Sequence, residues 1–580
     1  MAILGVDVGG TFTDAVLLGD DGSLTTAKVA TASRQEESVV AAAEAVGARR
    51  VDRFAHGTTV ATNALLERKG ARTAFVGTAG FEHVLHLRRQ DRAHLYRLCD
   101  QHAEPLVPLE RCHGVDERIG PEGVIAPLDL SSLQTPDAEA IAVCLLFAFR
   151  DPSHERAVAE ELRRRLPDAR VVASHEVAPE FREYERASTT AIDAYLGPVV
   201  ARYLAALGRS VRAAGLPEPL VMRSSGGVAT LEDAAAHPAG IVVSGPAGGV
   251  VGAALIARDA GFDNAISFDM GGTSTDVCLI ANLVAERTTE RPVAGFPLRL
   301  SSVDLHTVGA GGGSIVWRDG GGALRVGPRS AGADPGPACY GRGGTQPTIT
   351  DANLLVGRLP TRLAAGLELD ADAAERAFAG LDPAAAIAAV DAEMLRALRV
   401  VSVERGHDPR DFALVAFGGA GPLHACALAD ELEIGTVLVP AAAGVLSAVG
   451  LVGSDERRDS VRSYVVPLDE AGELPGEGEA DLRYRGQSFE LSVPLQPDLA
   501  AAFHRAHEER YGYADPGRPI ELVTVRTTDV VSGPDIELPR TAPLDADGPV
   551  VVELEGATCF VADGWRASRD HNGTLRLTRP

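Results

Sequence analysis

Two stretches of this chain share a spelling suited to phosphate chemistry. Asp7-Val-Gly-Gly-Thr-Phe-Thr-Asp14 and Asp269-Met-Gly-Gly-Thr-Ser-Thr-Asp276 both read D-x-G-G-T-x-T-D, and each follows an apolar run of strand character. Glycines let the backbone turn tightly and bring N–H groups up to an anion with no Cβ in the way. The threonine hydroxyls add donors, and the aspartates suit Mg²⁺ held through water or the orientation of a nucleophile. One copy would match any tight hairpin. Two copies on separate halves describe a clamp that grips the phosphates of ATP from both sides. Asp14 and Asp276 serve either that site or the capping of their turns.

Other residues add weaker signals. Phe417-Gly-Gly-Ala-Gly-Pro422 reads as a strand-to-helix junction whose glycines could admit an adenosine. Asp304 and His306 sit two apart, so on a strand both point to one face and could supply two metal ligands, with His56 or His424 completing the set. Alternatively His306 hydrogen-bonds the glycine run that follows it, Gly309 to Gly313, which is itself either an anion-binding loop or a flexible turn. Cys339 is a lone cysteine, and such residues are more often small buried side chains than nucleophiles. Arg182, Glu183 and Arg186 have the spacing of ion pairs along one helix.

The elements that must position these residues alternate. Ile3, Leu4, Val6 and Val8 start a strand, and Ile141 to Phe147 a later one. Helices are expected over Glu155 to Leu166 and Pro198 to Ala214, where apolar residues recur on one face. Such alternation favours a mixed α/β sheet. The pattern restarts after Leu220, with strands at 265–270 and 412–417 that each end in glycines, so the two halves read as two lobes. Gly309 to Gly344 is too rich in Gly and Pro for regular structure and reads as a functional loop. After Asp455 the texture becomes alternating strands, and the chain divides into 1–190, 191–455 and a smaller β-rich C-terminal domain, 456–580.

The chain has 580 residues, 45% of them apolar, enough for more than one core. Its formal charge of −25 repels nucleic acid at long range. Seven scattered cysteines without C-x-x-C spacing suit reduced thiols in a cytoplasmic protein, and the start, with an early Asp7, lacks the form of a signal peptide. Thr436 to Gly453 is uncharged, but Pro440 and its glycines suit a buried strand, turn and helix rather than a membrane span.

The two hairpins and the 417–422 junction, in that order, resemble the phosphate-1, phosphate-2 and adenosine motifs of the actin, sugar-kinase and Hsp70 ATPase superfamily. His56-Gly-Thr-Thr-Val-Ala-Thr-Asn63, Glu180-Phe-Arg-Glu-Tyr-Glu-Arg186, Ser244-Gly-Pro-Ala-Gly-Gly249, Asp304 to Ser314, Ser330 to Tyr340 and Phe417 to His424 narrow this, and closely resemble the hydantoinase A/5-oxoprolinase family. The chain is shorter than that family leads one to expect, and His83 to Gln90 departs from its usual wording. The resemblance implies an α/β fold of two actin-like (ribonuclease H-like) lobes around a cleft. It implies an ATP- and Mg²⁺-dependent hydrolase of the N-methylhydantoinase A type, which phosphorylates the carbonyl of a hydantoin, 5-oxoproline or other lactam for ring opening. A ketone carboxylase subunit is the alternative. A separate hydantoinase B-type subunit is the expected partner. In this reading Asp7 and Asp269 orient Mg²⁺ and its waters, with His56 a further catalytic or metal-binding residue. Gly9, Gly10, Thr11, Thr13, Gly271, Gly272, Thr273 and Thr275 line the phosphates, and Gly419 and Gly421 face the adenosine. Asp304 and His306 would hold a second metal, Zn²⁺ or Mn²⁺.

Overall fold

The computed structural model describes residues 1–579 except 98, 364–366, 537 and 539–541. Each half of the chain builds the same five-stranded unit. In the first, β1 (Ile3–Val8), β2 (Phe12–Leu18) and β3 (Leu24–Ala30) form an antiparallel meander, and β4 (Arg53–Thr58) and β5 (Leu220–Met222) add in parallel, giving the order β3-β2-β1-β4-β5. In the second, β6 (Ala265–Met270), β7 (Thr275–Ala281) and β8 (Val284–Ala285) repeat the meander, and β9 (Ala413–Phe417) and β10 (Thr436–Val439) repeat the parallel additions. This is the two-lobed ribonuclease H-like arrangement. Strands β1, β6 and β9 are almost wholly buried, which matches their near-continuous apolar sequence.

Inserted in the first lobe is a parallel four-stranded sheet of residues Thr73–Thr78, Cys112–Val115, Ala140–Cys144 and Arg170–Ala173. Helix α1 (Glu183–Ala213) packs on both this sheet and the lobe's main core. It starts earlier than the residues around Pro198 suggest and runs straight through the boundary expected at 190. The Gly197 before that proline removes the Cβ that ordinarily forces a pre-proline residue out of helical conformation.

The lobes meet through two exchanged helices. Helix α2 (Ser244–Asp259) follows the first lobe and packs on β6 and β9 of the second. Further helices of the second lobe are α3 (Ile349–Leu355), α4 (Pro383–Val401) and α5 (Gly421–Leu432). Helix α6 (Leu446–Val452) follows the second lobe and packs on β1 and β4 of the first. Where α2 and α6 cross, the backbones touch. A Cβ on Gly450 would lie 1.9 Å from the Gly248 carbonyl oxygen, one on Gly252 2.7 Å from that of Leu446, and one on Gly5 2.4 Å from that of Ala448. Around this contact Ile3, Val16 and Leu18 of the first lobe join the apolar core of the second. The uncharged stretch at 436–453 is thus β10, a turn and α6, and among the described residues no helix is long and apolar enough to cross a membrane.

Apart from the hairpin Val550–Leu554/Ala557–Val561, the strands of the β-rich C-terminal region join the sheets of the two lobes. Residues Glu456–Pro467, Glu479–Tyr484, Leu491–Pro494 and Ile520–Val531 extend the first lobe's sheet beyond β5, joined to it through Val228–Ala229. Residues Asp545–Asp547, Arg566–Arg569 and Leu575–Thr578 extend the second beyond β10. Each set continues a sheet edge that would otherwise expose unpaired backbone groups.

The helix crossing yields a stability prediction. Gly450→Ala overpacks the contact and should lower unfolding free energy by about 3 kcal/mol. Gly272→Ala, at a hairpin tip with open space around it, should leave stability within about 0.5 kcal/mol. Denaturant unfolding of the two variants checks both.

Candidate active site at the facing hairpins

The two motifs fold alike. In each, a two-residue turn is closed by an amide reaching back across it, Gly9 N–H to the Phe12 carbonyl (2.9 Å) and Gly271 N–H to that of Ser274 (3.0 Å). Gly10, Thr11, Gly272 and Thr273 are exposed at the tips. Among the described residues, their amides have no hydrogen-bond acceptor. They are open donors, as an anion site requires.

Register then decides which side chains share the site. Asp7 pairs with Asp14 across the first hairpin and Asp269 with Asp276 across the second. Directly paired residues share a face, so the two carboxylates of each hairpin stand side by side on one face of it. Asp7 lies beside Gly57 of β4, and a Cβ there would fall 2.2 Å from its Oδ1. Gly418 (φ 78°) stands in the same relation to Asp269, at 2.4 Å. Both carboxylates therefore occupy space that any other residue would fill. Gly245, in the first turn of α2, faces Asp7 at 3.8 Å by the same measure, so the positive end of that helix's dipole points at the carboxylate. Gly57, Gly245 and Gly418 all lie in motifs noted in the sequence, but nothing there shows that they border these carboxylates.

The electrostatics couple the hairpins. Burial pushes Asp7 up to about 7, assisted by the charge of Asp14 and opposed by Lys28. Burial likewise pushes Asp269 up to about 7, followed by Asp276 and then, across the cleft, by Asp7 and Asp14, with Lys28 opposing. Asp269 thus feels the first hairpin's charges, which places the two motifs face to face. Burial raises Asp14 against its 2.6 Å ion pair with Lys28, and raises Asp276 against a hydrogen bond from Thr307. Lys28 is a cation at the site that the motif does not contain. Asp7 Oδ1 is buried and has no hydrogen-bond partner. An orphaned carboxylate oxygen among raised carboxylates fits a hard divalent cation such as Mg²⁺, whose charge would offset their repulsion.

Several expected residues lie elsewhere. Thr13 and Thr275 are fully buried, and their hydroxyls bond Thr31 (3.0 Å) and the Ala310 carbonyl (2.7 Å) inside each lobe. They brace the hairpins from behind rather than line phosphates. Gly9 and Gly271 form the turns' shoulders and Gly419 is exposed by the cleft. Gly421 is buried at the start of α5, where a Cβ would press 3.3 Å from the Phe268 carbonyl, so it serves packing. His56 is also fully buried. Its Nδ1 donates to the Val6 carbonyl (3.1 Å) and its Nε2 accepts from the Tyr203 hydroxyl (2.7 Å), while burial lowers it to about 4. With both nitrogens engaged it is a structural histidine, neither catalytic nor a ligand.

The second metal set does not assemble. The chain turns at Leu305, whose amide donates to Val303; Asp304 pairs with Arg405 at 2.7 Å, and His306 pairs in register with Val277 of β7. Among the described residues, no group of three His, Cys, Asp or Glu side chains could hold a metal ion. The glycine run instead backs the second hairpin, with Gly312 N–H on the Gly271 carbonyl (3.0 Å) and Gly313 N–H on that of Gly272 (2.6 Å). Cys339 is buried, and Arg186 is spent on the Leu145 and Glu180 carbonyls and Ser174.

Comparison with known proteins agrees with this architecture. The hydantoinase/oxoprolinase family model matches residues 186–460, and that of the hydantoinase/oxoprolinase N-terminal region matches residues 3–166. Caprolactamase subunit alpha of Pseudomonas jessenii is 31% identical over 99% of both chains. The crystal structure of the ATP-dependent caprolactamase from that organism matches with a TM-score of 0.87 and 30% identity over 100% of each chain. Acetophenone carboxylase gamma subunit of Aromatoleum aromaticum is 35% identical over 77% of this chain and 67% of that protein. For 5-oxoprolinase 1 of Arabidopsis thaliana the identity is 32%, over 82% of this chain but only 44% of the longer plant protein. The chain belongs to the hydantoinase/oxoprolinase family.

Proposed function

We propose that this chain is the ATP-dependent subunit of a cyclic-amide hydrolase, one that activates the carbonyl of a lactam, hydantoin or 5-oxoproline for ring opening. The observation that carries the reading is the pair of facing hairpins, whose open amides at 10, 11, 272 and 273 flank coupled carboxylates. A ring amide resists water because its carbonyl carbon is a poor electrophile and its nitrogen a poor leaving group. Transfer of the γ-phosphoryl group of ATP to the amide oxygen breaks the bond to ADP and forms a P–O bond on the substrate. Water then adds to the carbon, and the ring C–N bond of the tetrahedral adduct breaks as the nitrogen takes up a proton. A second water hydrolyses the resulting acyl phosphate to the free carboxylate and inorganic phosphate. Positioning and charge neutralisation supply most of such catalysis.

Residue roles follow from the geometry. Gly10, Thr11, Gly272 and Thr273 offer backbone donors to the phosphates, with Lys28 nearby as a cation. Asp7 and Asp269 would hold Mg²⁺ and its waters, and the ion would neutralise phosphate charge when bound. Gly419 borders the space for the adenosine. The two-subunit form rests on the relative named as an alpha subunit, and a hydantoinase B-type chain is the partner we propose.

The deciding experiment is phosphate release by the chain with its B-type partner across lactams, hydantoins and 5-oxoproline. Turnover stimulated by one ring class supports the reading. Turnover only with a ketone and bicarbonate would support the carboxylase alternative, which the 35% identity to an acetophenone carboxylase subunit keeps in view. No ATP turnover with any substrate would sink both.

Asp7→Asn and Asp269→Asn should each lower kcat by about 100-fold or more, with far-ultraviolet circular dichroism unchanged. The same carboxylates set a pH dependence. Their values rise from 3.8 unfolded to about 7 folded, so folding takes up protons between these limits. Their contribution to stability is full below the unfolded value and is lost as pH rises through about 7. The nucleotide-free chain should therefore melt at lower temperature on going from about pH 5 to pH 8, and the Asn variants should flatten that slope. Melting curves of equal slope in all three proteins would contradict the assignment.

A further inference from the structure

Behind the second hairpin lies a buried polar chain that the reaction itself does not use. His424 of α5 is fully buried, and its Nδ1 donates to Asp391 Oδ1 of α4 at 2.6 Å. Its Nε2 accepts from Asn353 Nδ2 of α3 at 3.3 Å, and that amide also donates to the Ile349 carbonyl at 3.1 Å. Three helices are thus pinned at one imidazole. Asn353 Oδ1 is buried with no partner, a cost the fold carries in order to make this link.

Two of the pinned helices, α3 and α5, lead to different walls of the nucleotide cleft. From α3, the amide and hydroxyl of Thr350 both donate to the Gly312 carbonyl, at 2.7 and 2.9 Å. The amides of Gly312 and Gly313 then bear on the Gly271 and Gly272 carbonyls, the backbone of the second phosphate hairpin. From α5, the preceding Ala420 amide donates to the Met270 carbonyl (2.9 Å), and Gly418 makes room for Asp269. The route from the phosphate hairpin to the adenosine side therefore closes into a ring through His424.

We propose that His424, supported by Asp391 and Asn353, is a positioning residue that locks the phosphate hairpin and the adenosine-side loop of the second lobe in one spacing. This rests on the nucleotide reading above, since the ring has a purpose only if one ligand spans both loops. A rigid spacing lowers the ordering cost of binding, so its loss weakens nucleotide affinity while the chemistry, set by Asp7 and Asp269, persists.

The test compares the full chain with His424→Leu, which keeps apolar volume but no hydrogen bond, and His424→Gln, whose amide can both donate to Asp391 and accept from Asn353. Two readouts are used: ATP affinity by calorimetry with Mg²⁺, and amide hydrogen exchange of the 309–314 segment in nucleotide-free protein. For His424→Leu we expect about tenfold weaker ATP binding and about tenfold faster exchange at Gly312 and Gly313, with exchange in β9 unchanged. His424→Gln should recover most of both. Unaltered affinity and exchange in His424→Leu would overturn the proposal. Faster exchange throughout β9, or no recovery in His424→Gln, would reduce His424 to general packing and equally overturn it. If the unaltered chain fails to bind ATP, the nucleotide reading falls, while the exchange comparison still decides whether the ring holds the hairpin.

Discussion

Everything at the cleft depends on two backbones touching where α2 crosses α6. The helices come from opposite lobes, and each is laid on the other's sheet, so their separation sets the distance between the sheets. Glycine at 248, 252 and 450 permits the approach, and Gly5 lets α6 settle on β1. The hairpin tips lie at the ends of β1 and β6, the middle strands of the two five-stranded units. A bulkier residue at the crossing would move not one side chain but the whole frame that brings Asp7 within reach of Asp269.

The second constraint is electrostatic. Two aspartate pairs, one on each hairpin, lie near one another there, with Lys28 tempering the first pair and Asp269, and Arg291 tempering Asp276. Buried like charges raise one another's proton affinity, and the cheapest relief is a divalent ion. The hairpins are nevertheless not equivalent. Asp14 has Lys28 as an ion-paired counter-ion, whereas Asp276 accepts a hydrogen bond from Thr307 and feels Arg291 only through space. The first hairpin is backed by Thr31, the second by a glycine run and α3. The first hairpin thus has an ion-paired cation beside it, and the second a firmer backbone support.

Much of this was legible in the residues. The repeated motif located both turns, and the apolar runs before them located β1, β6 and β9, because strands buried on both faces must be apolar throughout. What failed was facing. Thr11 and Thr13 look equivalent in sequence, yet the turn at Gly10-Thr11 restarts the strand alternation at Phe12, and the pairings 8 with 13 and 7 with 14 send Thr13 to the core and Asp14 to the cleft. Counting pairs outward from a two-residue turn would have found this. His56 is a different case. Its place beside Val6, with Gly57 beside Asp7, follows from the register of a parallel pair separated by a long connection, and no local pattern carries that. Likewise Asp304 and His306 satisfy the spacing of a metal pair only if the chain between them is extended, and it turns.

The division of the C-terminal strands has a mechanical consequence. The chain passes between the sheets before β6, after α6, and again between residues 531 and 545, and the segment 291–303, between β8 and the strand at 306–308, packs on the first lobe. The halves are thus tied by covalent chain as well as by the packed helices. At the outer rim Thr26 of β3 meets Glu555, on the turn after Val550–Leu554, whose neighbour Gly556 presses on Gly444 just before α6. With the Arg299–Glu180 ion pair and the Val303 amide on the Ser224 carbonyl, this contact fastens the lobes away from the helix crossing, so the cleft is braced at its rim as well as along its spine.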